Sequence, residues 1–286
     1  MSNFEFGEII KGGYKTWKNN LELCIPFILG GVISAIVAGI IMVITFLALF
    51  WPLIEKAFSN PTSISSSEFL SQLYSIITSN LISIIAVFVI IAIIVGLIYS
   101  FFYSGAIGMA KEALLTGKTN LSHMMDYGKR KYLDYFVANI IVGLIFLIGV
   151  LFLIPGILSV SSEIASSGFE FSSQNINAYF PLIIGFLIML PYMIIMSIIF
   201  ALVSYAVVID DLSAIEGVKK AFRVAWHNKI HVFLMCLIVL VIGFLFGLIG
   251  LIPFIGGLLS FIVTLLIVTP LTTVWWSKFY ITISKT

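Results

Sequence analysis

Six long apolar runs, none with an ionisable residue at its middle, constrain this chain more than any other feature. They cover Ile25–Leu53, Leu81–Met109, Tyr135–Leu158, Phe180–Ile209, Ile230–Leu251 and Leu258–Trp276. A helix that crosses a bilayer needs about 20 mainly apolar residues, with about 17–25 the usual range. Each run meets that length. The same runs exclude a transmembrane β-barrel, whose strands alternate apolar and polar positions over about ten residues. Lipid offers no partner to an open backbone, so each run must be a helix. Only 10% of the 286 residues are charged and 61% are apolar, against roughly 25% charged in a soluble domain. So little charge cannot clothe a water-soluble globule, and two cysteines make no disulfide scaffold. The expectation is an all-α integral membrane protein. One polytopic domain over residues 1–286 has its six transmembrane helices arranged as three hairpins. The last of these turns tightly at Pro253–Gly257 (PFIGG).

The few charges set the orientation. Lys11, Lys15 and Lys18 precede the first run, and Lys111, Lys118, Lys129, Arg130 and Lys131 join the second to the third. Lys219, Lys220, Arg223 and Lys229 join the fourth to the fifth, and Lys278 and Lys285 follow the sixth. Fourteen of 15 basic residues therefore share one face, and Lys56 alone lies on the other. Short loops are where excess Lys and Arg stay inside, so both termini are expected to be cytoplasmic in a multi-pass protein of the cell membrane. Trp17, Trp226, Trp275 and Trp276 fall at the basic ends of runs and Trp51 at the opposite end, as an interfacial aromatic belt would. The first run is too long for a signal peptide, and a charged amphipathic segment precedes it.

Each basic approach to a hairpin reads as an amphipathic helix. In the first, Ser2 and Glu5 make a capping-box pattern, and Ile10, Tyr14, Trp17 and Leu21 form an apolar stripe beside Lys11, Lys15 and Lys18. In the third, Ser213 and Glu216 repeat the capping box, Ile215, Val218, Phe222 and Trp226 the stripe, and Lys219, Lys220 and Arg223 the basic row. Without gaps, Ile10–Lys15 lies over Val218–Arg223 and Asn20 over Asn228. The middle approach, Met125–Tyr135 with Lys129, Arg130 and Lys131, matches loosely. Two readings stand. Either these are short interfacial helices that hold lysines against anionic headgroups, at about 1 kcal/mol per basic residue, or they are short extensions whose charge only sets topology. The repeats keep one orientation, unlike the inverted pair of an alternating-access transporter.

The opposite face is rich in Ser and Asn. Its connections, Ser59–Asn80 and Ser159–Ala178, hold Glu68, Glu163 and Glu170. About 20 residues are too few for a folded ectodomain, although Phe69, Leu70, Leu73, Ile76 and Ile77 can make one surface helix. The Asn60–Pro–Thr sequon is blocked by its proline, and Asn120–Leu–Ser lies on the basic side.

Candidates for chemistry are few. His227 and His231 are four apart, which would place both imidazoles on one helix face, with Asp210, Asp211 or His123 as a third metal ligand. The plainer reading is two polar residues at the mouth of a span, since no HExxH or CxxC pattern accompanies them. Cys24 and Cys236 read as small apolar residues near span ends. Asp210–Asp211 reads either as a carboxylate pair for an ion or substrate, or as N-terminal charge favouring the next helix's dipole. No acid or base stands at the middle of a span, which lowers the weight of ion-coupled transport. Asn139, Ser100, Ser104, Ser197, Ser204 and Thr264 are polar residues of the kind that join helices. Small residues recur every four positions at Gly31–Ala35–Gly39, at Ala92–Gly96–Ser100–Ser104–Gly108 and at Gly243–Gly247, a pattern that lets helix backbones approach. Pro191 and Pro270 should kink their spans. Nothing matches a hydrolase elbow, a P-loop or an intramembrane protease, so no catalytic residue, cofactor or nucleic-acid partner is expected.

The stretch Ser204–Asn228 (SYAVVIDDLSAIEGVKKAFRVAWHN) combines an aromatic, an aliphatic run, an acidic pair and a basic amphipathic helix that ends near Asn and enters a span. It resembles uncharacterised prokaryotic six-span proteins similar to the membrane domain fused to some bacterial glycerophosphoryl diester phosphodiesterases. The resemblance implies a six-helix, lipid-facing setting. It transfers no catalytic residue, because the hydrolase domain is missing. Two functions follow as expectations. One is a non-enzymatic membrane protein that organises anionic lipid or a partner through its basic helices, and the other is a channel or facilitator for a small or lipid-like solute.

Overall fold

The computed structural model describes residues 5–59, 66–167 and 176–285. Ser2, Asn60 and Glu170 lie outside them. Helix α1 spans Phe6–Asn19, and a 3-10 turn at Leu21–Cys24 leads into α2, Ile25–Ser59. Next come α3, Ser66–Ser79, α4, Leu81–Thr116, and α5, Leu121–Val150. A further 3-10 turn at Leu151–Leu153 passes to α6, Ile154–Ser167, followed by α7, Ile176–Phe200, and α8, Val203–Ile209. Helices α9, Ala214–His227, and α10, Lys229–Gly247, precede a 3-10 turn at Leu248–Leu251. Then α11, Gly256–Val263, a π turn at Thr264–Val268, and α12, Thr269–Ile283, complete the chain. The protein is all-helical among the described residues, and six helical stretches are long and apolar enough to cross a membrane.

Each run begins and ends for a local reason. Asn20 and Asn228 close α1 and α9, and their side-chain amides donate to Thr16 O (2.9 Å) and Val224 O (3.1 Å). Gly117 closes α4 at φ +83°, a left-handed cap that glycine adopts without strain. Asn120 opens α5 by accepting from His123 N–H at 3.2 Å. The middle basic approach is therefore not a separate element: Met125–Tyr135 forms early turns of α5, which starts at Leu121. On the other face, α3 is the expected surface helix and exposes Phe69, Leu70 and Ile77.

Pro270 does not bend its helix simply. A proline lacks the N–H that would bond the carbonyl four residues back, here that of Leu266. The backbone widens into the π turn at Thr264–Val268, and the Cys24 thiol donates to Leu266 O at 3.0 Å. An unpaired carbonyl in lipid is costly, so Cys24 has a structural role. Pro181 and Pro191, by contrast, lie within the helical run of α7.

The buried core sits at the basic end. It gathers Ile107, Leu202, Val207, Ala221, Met235 and Phe279 with their neighbours from α1, α4, α5, α8, α9, α10 and α12. A second cluster under α1 holds Leu23, Phe102, Met109 and Val274. Glycines let the elements close: a Cβ on Gly96 would lie 2.8 Å from Phe136, and one on Gly105 2.7 Å from Met124 O. Gly149, Gly156 and Gly185 do the same between the α5–α6 arm and α7. The other small-residue rows behave differently. Gly31 meets only Leu265 at 3.4 Å, Ala35 is exposed, and nothing comes within 4 Å of a Cβ on Gly39, Gly243 or Gly247. Gly39, Gly243 and Gly247 therefore mediate no close approach among the described residues, whereas Gly31 lines the cleft beside Tyr99 and Tyr103.

Candidate functional site: the basic rim

The acidic pair lies at the end of α8 rather than the start of α9. Asp210 is the C-cap, Asp211 adopts φ +57°, and Leu212 N–H reaches back to Val207 O at 3.1 Å. This is a Schellman turn, with Asp211 where glycine is usual. Aspartate tolerates the left-handed region better than most residues. Two carboxylates at a helix C-terminus oppose its dipole, and cations from three elements answer them. Lys111 of α4 donates to Ile209 O at 2.8 Å. Lys131 of α5 lies 2.8 Å from Asp211 Oδ1 and donates to Leu212 O (3.1 Å) and Asp134 Oδ2 (3.3 Å). Lys220 of α9 pairs with Asp210 at 2.8 Å, and Arg130 stands 3.5 Å from Asp211. From α12, the Tyr280 hydroxyl donates to Asp210. Hydrogen bonding from Lys131 holds the Asp211 carboxyl below its ordinary value of 3.8, against a smaller opposing effect of burial. Ser213 then starts α9 with a complete capping box, its N–H and hydroxyl meeting Glu216 at 3.3 and 2.8 Å.

The basic residues thus fall into two sets. Lys131 is only 6% exposed and is spent on the α8–α9 corner, so it has no free ammonium for a headgroup. Lys220 and Arg130 share that corner. Lys11, Lys15, Lys18, Lys129, Lys219 and Arg223 remain exposed.

Helices α1 and α9 present the same cross-section. Their inward positions are Ile9 and Gly13 in α1, and Gly217, Ala221 and Ala225 in α9. A Cβ on Gly13 would collide with Trp275, and one on Gly217 with Val207. Trp275 donates its indole N–H to Ile10 O (3.1 Å) and Lys278 donates to Glu8 O (2.8 Å), which fixes α1 on α12. Asn20 joins this helix end to the α4–α5 turn by accepting from Thr119 N–H at 3.0 Å and donating to Gly117 O at 3.2 Å. Part of each stripe points outward: Tyr14 is 48% exposed, Ile215 59% and Trp226 56%. Sequence reading found the stripe and missed that it divides, with Ile10, Trp17 and Val218 packed against the core beside the small residues. The glycines at Gly12–Gly13 and Gly217 were the available signal. The belt is likewise partial, since Trp275 is buried under α1.

The histidine spacing does not survive the fold. Asn228 breaks the helix between them, leaving His227 as the last residue of α9 and His231 in α10 stacked on Phe6 at 6.1 Å. Among the described residues no group of three or more His, Cys, Asp or Glu side chains is placed to hold a metal.

Beneath the rim lies a feature that sequence reading did not single out. Tyr99 and Tyr103 stack at 4.1 Å, and Tyr103 lies 6.5 Å from Tyr135. Clefts of about 210 Å³ and 280 Å³ flank Tyr99, the larger lined by Ser100, Tyr135 and Asn139. The i, i+4 pair of tyrosines beside Ser100 and Ser104 was legible as a polar row on α4.

Residues 30–280 match the family described as a domain of unknown function, DUF7847. The chain belongs to that family. The match starts inside α2 and ends inside α12, so it takes in the α8–α9 corner, α9 and the tyrosine row. An uncharacterised protein of Archaeoglobus fulgidus is 26% identical over 313 residues, covering 100% of this chain and 98% of its own. No solved structure matches.

Proposed function

We propose that this DUF7847 member is a non-enzymatic multi-pass membrane protein that gathers anionic headgroups at its basic rim through α1 and α9. We place that rim on the cytoplasmic side of the cell membrane, by the distribution of Lys and Arg. One observation carries the reading: α9 turns Gly217, Ala221 and Ala225 inward and sets Ile215, Phe222 and Trp226 outward beside exposed cations, and α1 sets Tyr14 outward beside exposed Lys11, Lys15 and Lys18. That is how a helix lies in the headgroup plane. The test is reconstitution in nanodiscs of mixed phosphatidylglycerol and phosphatidylcholine. Wild-type protein should enrich phosphatidylglycerol around itself, and the combined Lys11→Gln, Lys15→Gln, Lys219→Gln, Arg223→Gln variant should lose most of that enrichment. Equal lipid composition around both would overturn the reading.

The tyrosine row favours a second reading, a facilitator for a small or lipid-like solute moving along hydroxyls. Flux of neutral solutes and fluorescent lipids into proteoliposomes, reduced by Tyr135→Phe, would support it. No flux above empty liposomes would remove it.

A further inference from the structure

Helix α9 carries two parallel ladders at four-residue spacing. Val218, Phe222 and Trp226 form an apolar one, and the cations Lys219 and Arg223 with the imidazole of His227 a polar one beside it. Where α9 crosses the end of α7, both ladders and Phe200 line one open groove of about 480 Å³. Its floor is aromatic: Phe200 lies 6.5 Å from Phe222, and Phe222 stacks on Trp226 at 5.9 Å and 12°. Lys229 sits 5.7 Å above the Trp226 ring from the adjoining helix. The cations of this groove are not the ones consumed by the acidic corner, where Lys220 is held by Asp210.

We propose that this groove is a specific site for one anionic phospholipid, a narrower claim that rests on the lipid reading above. The lipid phosphate lies against Lys219, Arg223 and His227. Its glycerol backbone lies on Phe222 and Trp226, and its chains run down beside α7 and α10. Charge complementarity and depth select this occupant. The groove opens at the end of a membrane span, so its polar edge meets headgroups and its floor meets acyl chains. A free phosphate would leave the aromatic floor in water. Helix α1 supplies an internal contrast. Aligned on α9, it has Lys11, Lys15 and Asn19 for the polar ladder and Ile10, Tyr14 and Lys18 for the apolar one. The apolar ladder loses its third rung there, so α1 offers charge to the surface without a comparable seat.

The test is native mass spectrometry of delipidated full-length protein titrated with dioleoylphosphatidylglycerol, dioleoylphosphatidylcholine or glycerol phosphate. One phosphatidylglycerol should bind ahead of all others. Lys219→Gln with Arg223→Gln should weaken that first event by roughly ten- to thirtyfold, on the basis of about 1 kcal/mol per surface cation. Lys11→Gln with Lys15→Gln should weaken it less than about twofold. Arg223→Lys, which keeps the charge, should retain most of the affinity, and Trp226→Ala should lose it. Displacement by glycerol phosphate at equal concentration would assign the groove to a soluble phosphate and overturn the proposal. Equal loss from the α1 and α9 variants would overturn the site while leaving the general lipid reading intact. Absence of both a first-bound lipid and any enrichment in nanodiscs would remove both.

Discussion

Helix α4 is one uninterrupted rod with two unlike halves. From Leu81 to Tyr99 none of its residues is buried, whereas from Ser100 to Ala113 ten are. The bundle divides in the same way. Toward the basic rim, helices meet through glycine, tyrosine hydroxyls and ion pairs. Toward the Ser- and Asn-rich face, bulky side chains such as Ile36, Ile40, Ile85 and Phe88 splay outward. Lipid is as apolar as leucine, so hydrophobicity does not hold spans together, and close packing has to come from small residues and polar bonds. The rim half has both. In the far half the α5–α6 arm still closes on α7 through Gly149, Gly156 and Gly185, whereas α2 and the first half of α4 have apolar surface in plenty and little of either kind of contact.

Substituting glycines tests this division most severely. Gly105→Val forces a side chain onto the Met124 backbone, 2.7 Å from where its Cβ would stand. The expected loss is roughly 3 kcal/mol, at the upper end for overpacking. Gly39→Val and Gly243→Val, which meet nothing within 4 Å, should stay within about 0.5 kcal/mol of wild type. Thermal unfolding of the three variants in detergent compares them directly, and similar melting temperatures would erase the distinction.

The next largest effect is expected from Lys131→Met. It removes the ammonium that joins Asp211, Asp134 and Leu212 O. Loss of a buried, charge-assisted centre should cost about 2 kcal/mol, less than a fully buried pair because Asp211 is half-exposed. Limited proteolysis at the α8–α9 corner should then accelerate.

A pH titration isolates the partner. The Asp211 pKa is depressed in the folded protein, so its stabilising contribution is complete above the unfolded value of about 3.8 and fades as pH falls through the lower folded value. Asp211→Asn keeps a residue tolerant of φ +57° but removes the charge. The melting-temperature gap between wild type and variant should therefore be open at pH 7, begin to narrow below about pH 3.8 and close as pH falls through the lower folded value. A gap that persists unchanged to pH 3 would show that the charge contributes nothing.

The smallest effect is expected at the π turn. Cys24→Ala removes the thiol donor from Leu266 O and should cost about 1 kcal/mol, while Cys24→Ser should restore most of it. Equal stability of all three proteins would mean that the thiol bond is dispensable.

What could be read from the residues follows the same split. Span positions, the gathering of cations and the kinship of α1 with α9 depend on local pattern and charge, and these were legible. Which face of α1 and α9 looks inward was not. An apolar stripe taken alone favours the large residues as the inner face, whereas in α9 Gly217, Ala221 and Ala225 take that side and Ile215, Phe222 and Trp226 are exposed. The role of Lys131 was hidden because Asp211 is far from it in sequence. The thiol of Cys24 and the carbonyl of Leu266 are related only through the fold. The spacing of Gly243 and Gly247 shows that a helix can be approached closely, without showing that anything approaches it.

The two-residue interruption at Ala201–Leu202 has a mechanical consequence. A span adjusts to a thicker or thinner bilayer by tilting, and a continuous helix carries that tilt to its far end. Here α7 stops before α8, while α8 is gripped by α4, α5, α9 and α12. The turn interrupts that rod, so the seat of α8 in the charged corner is set by its packing on α4, α5, α9 and α12 and not by direct continuation of α7.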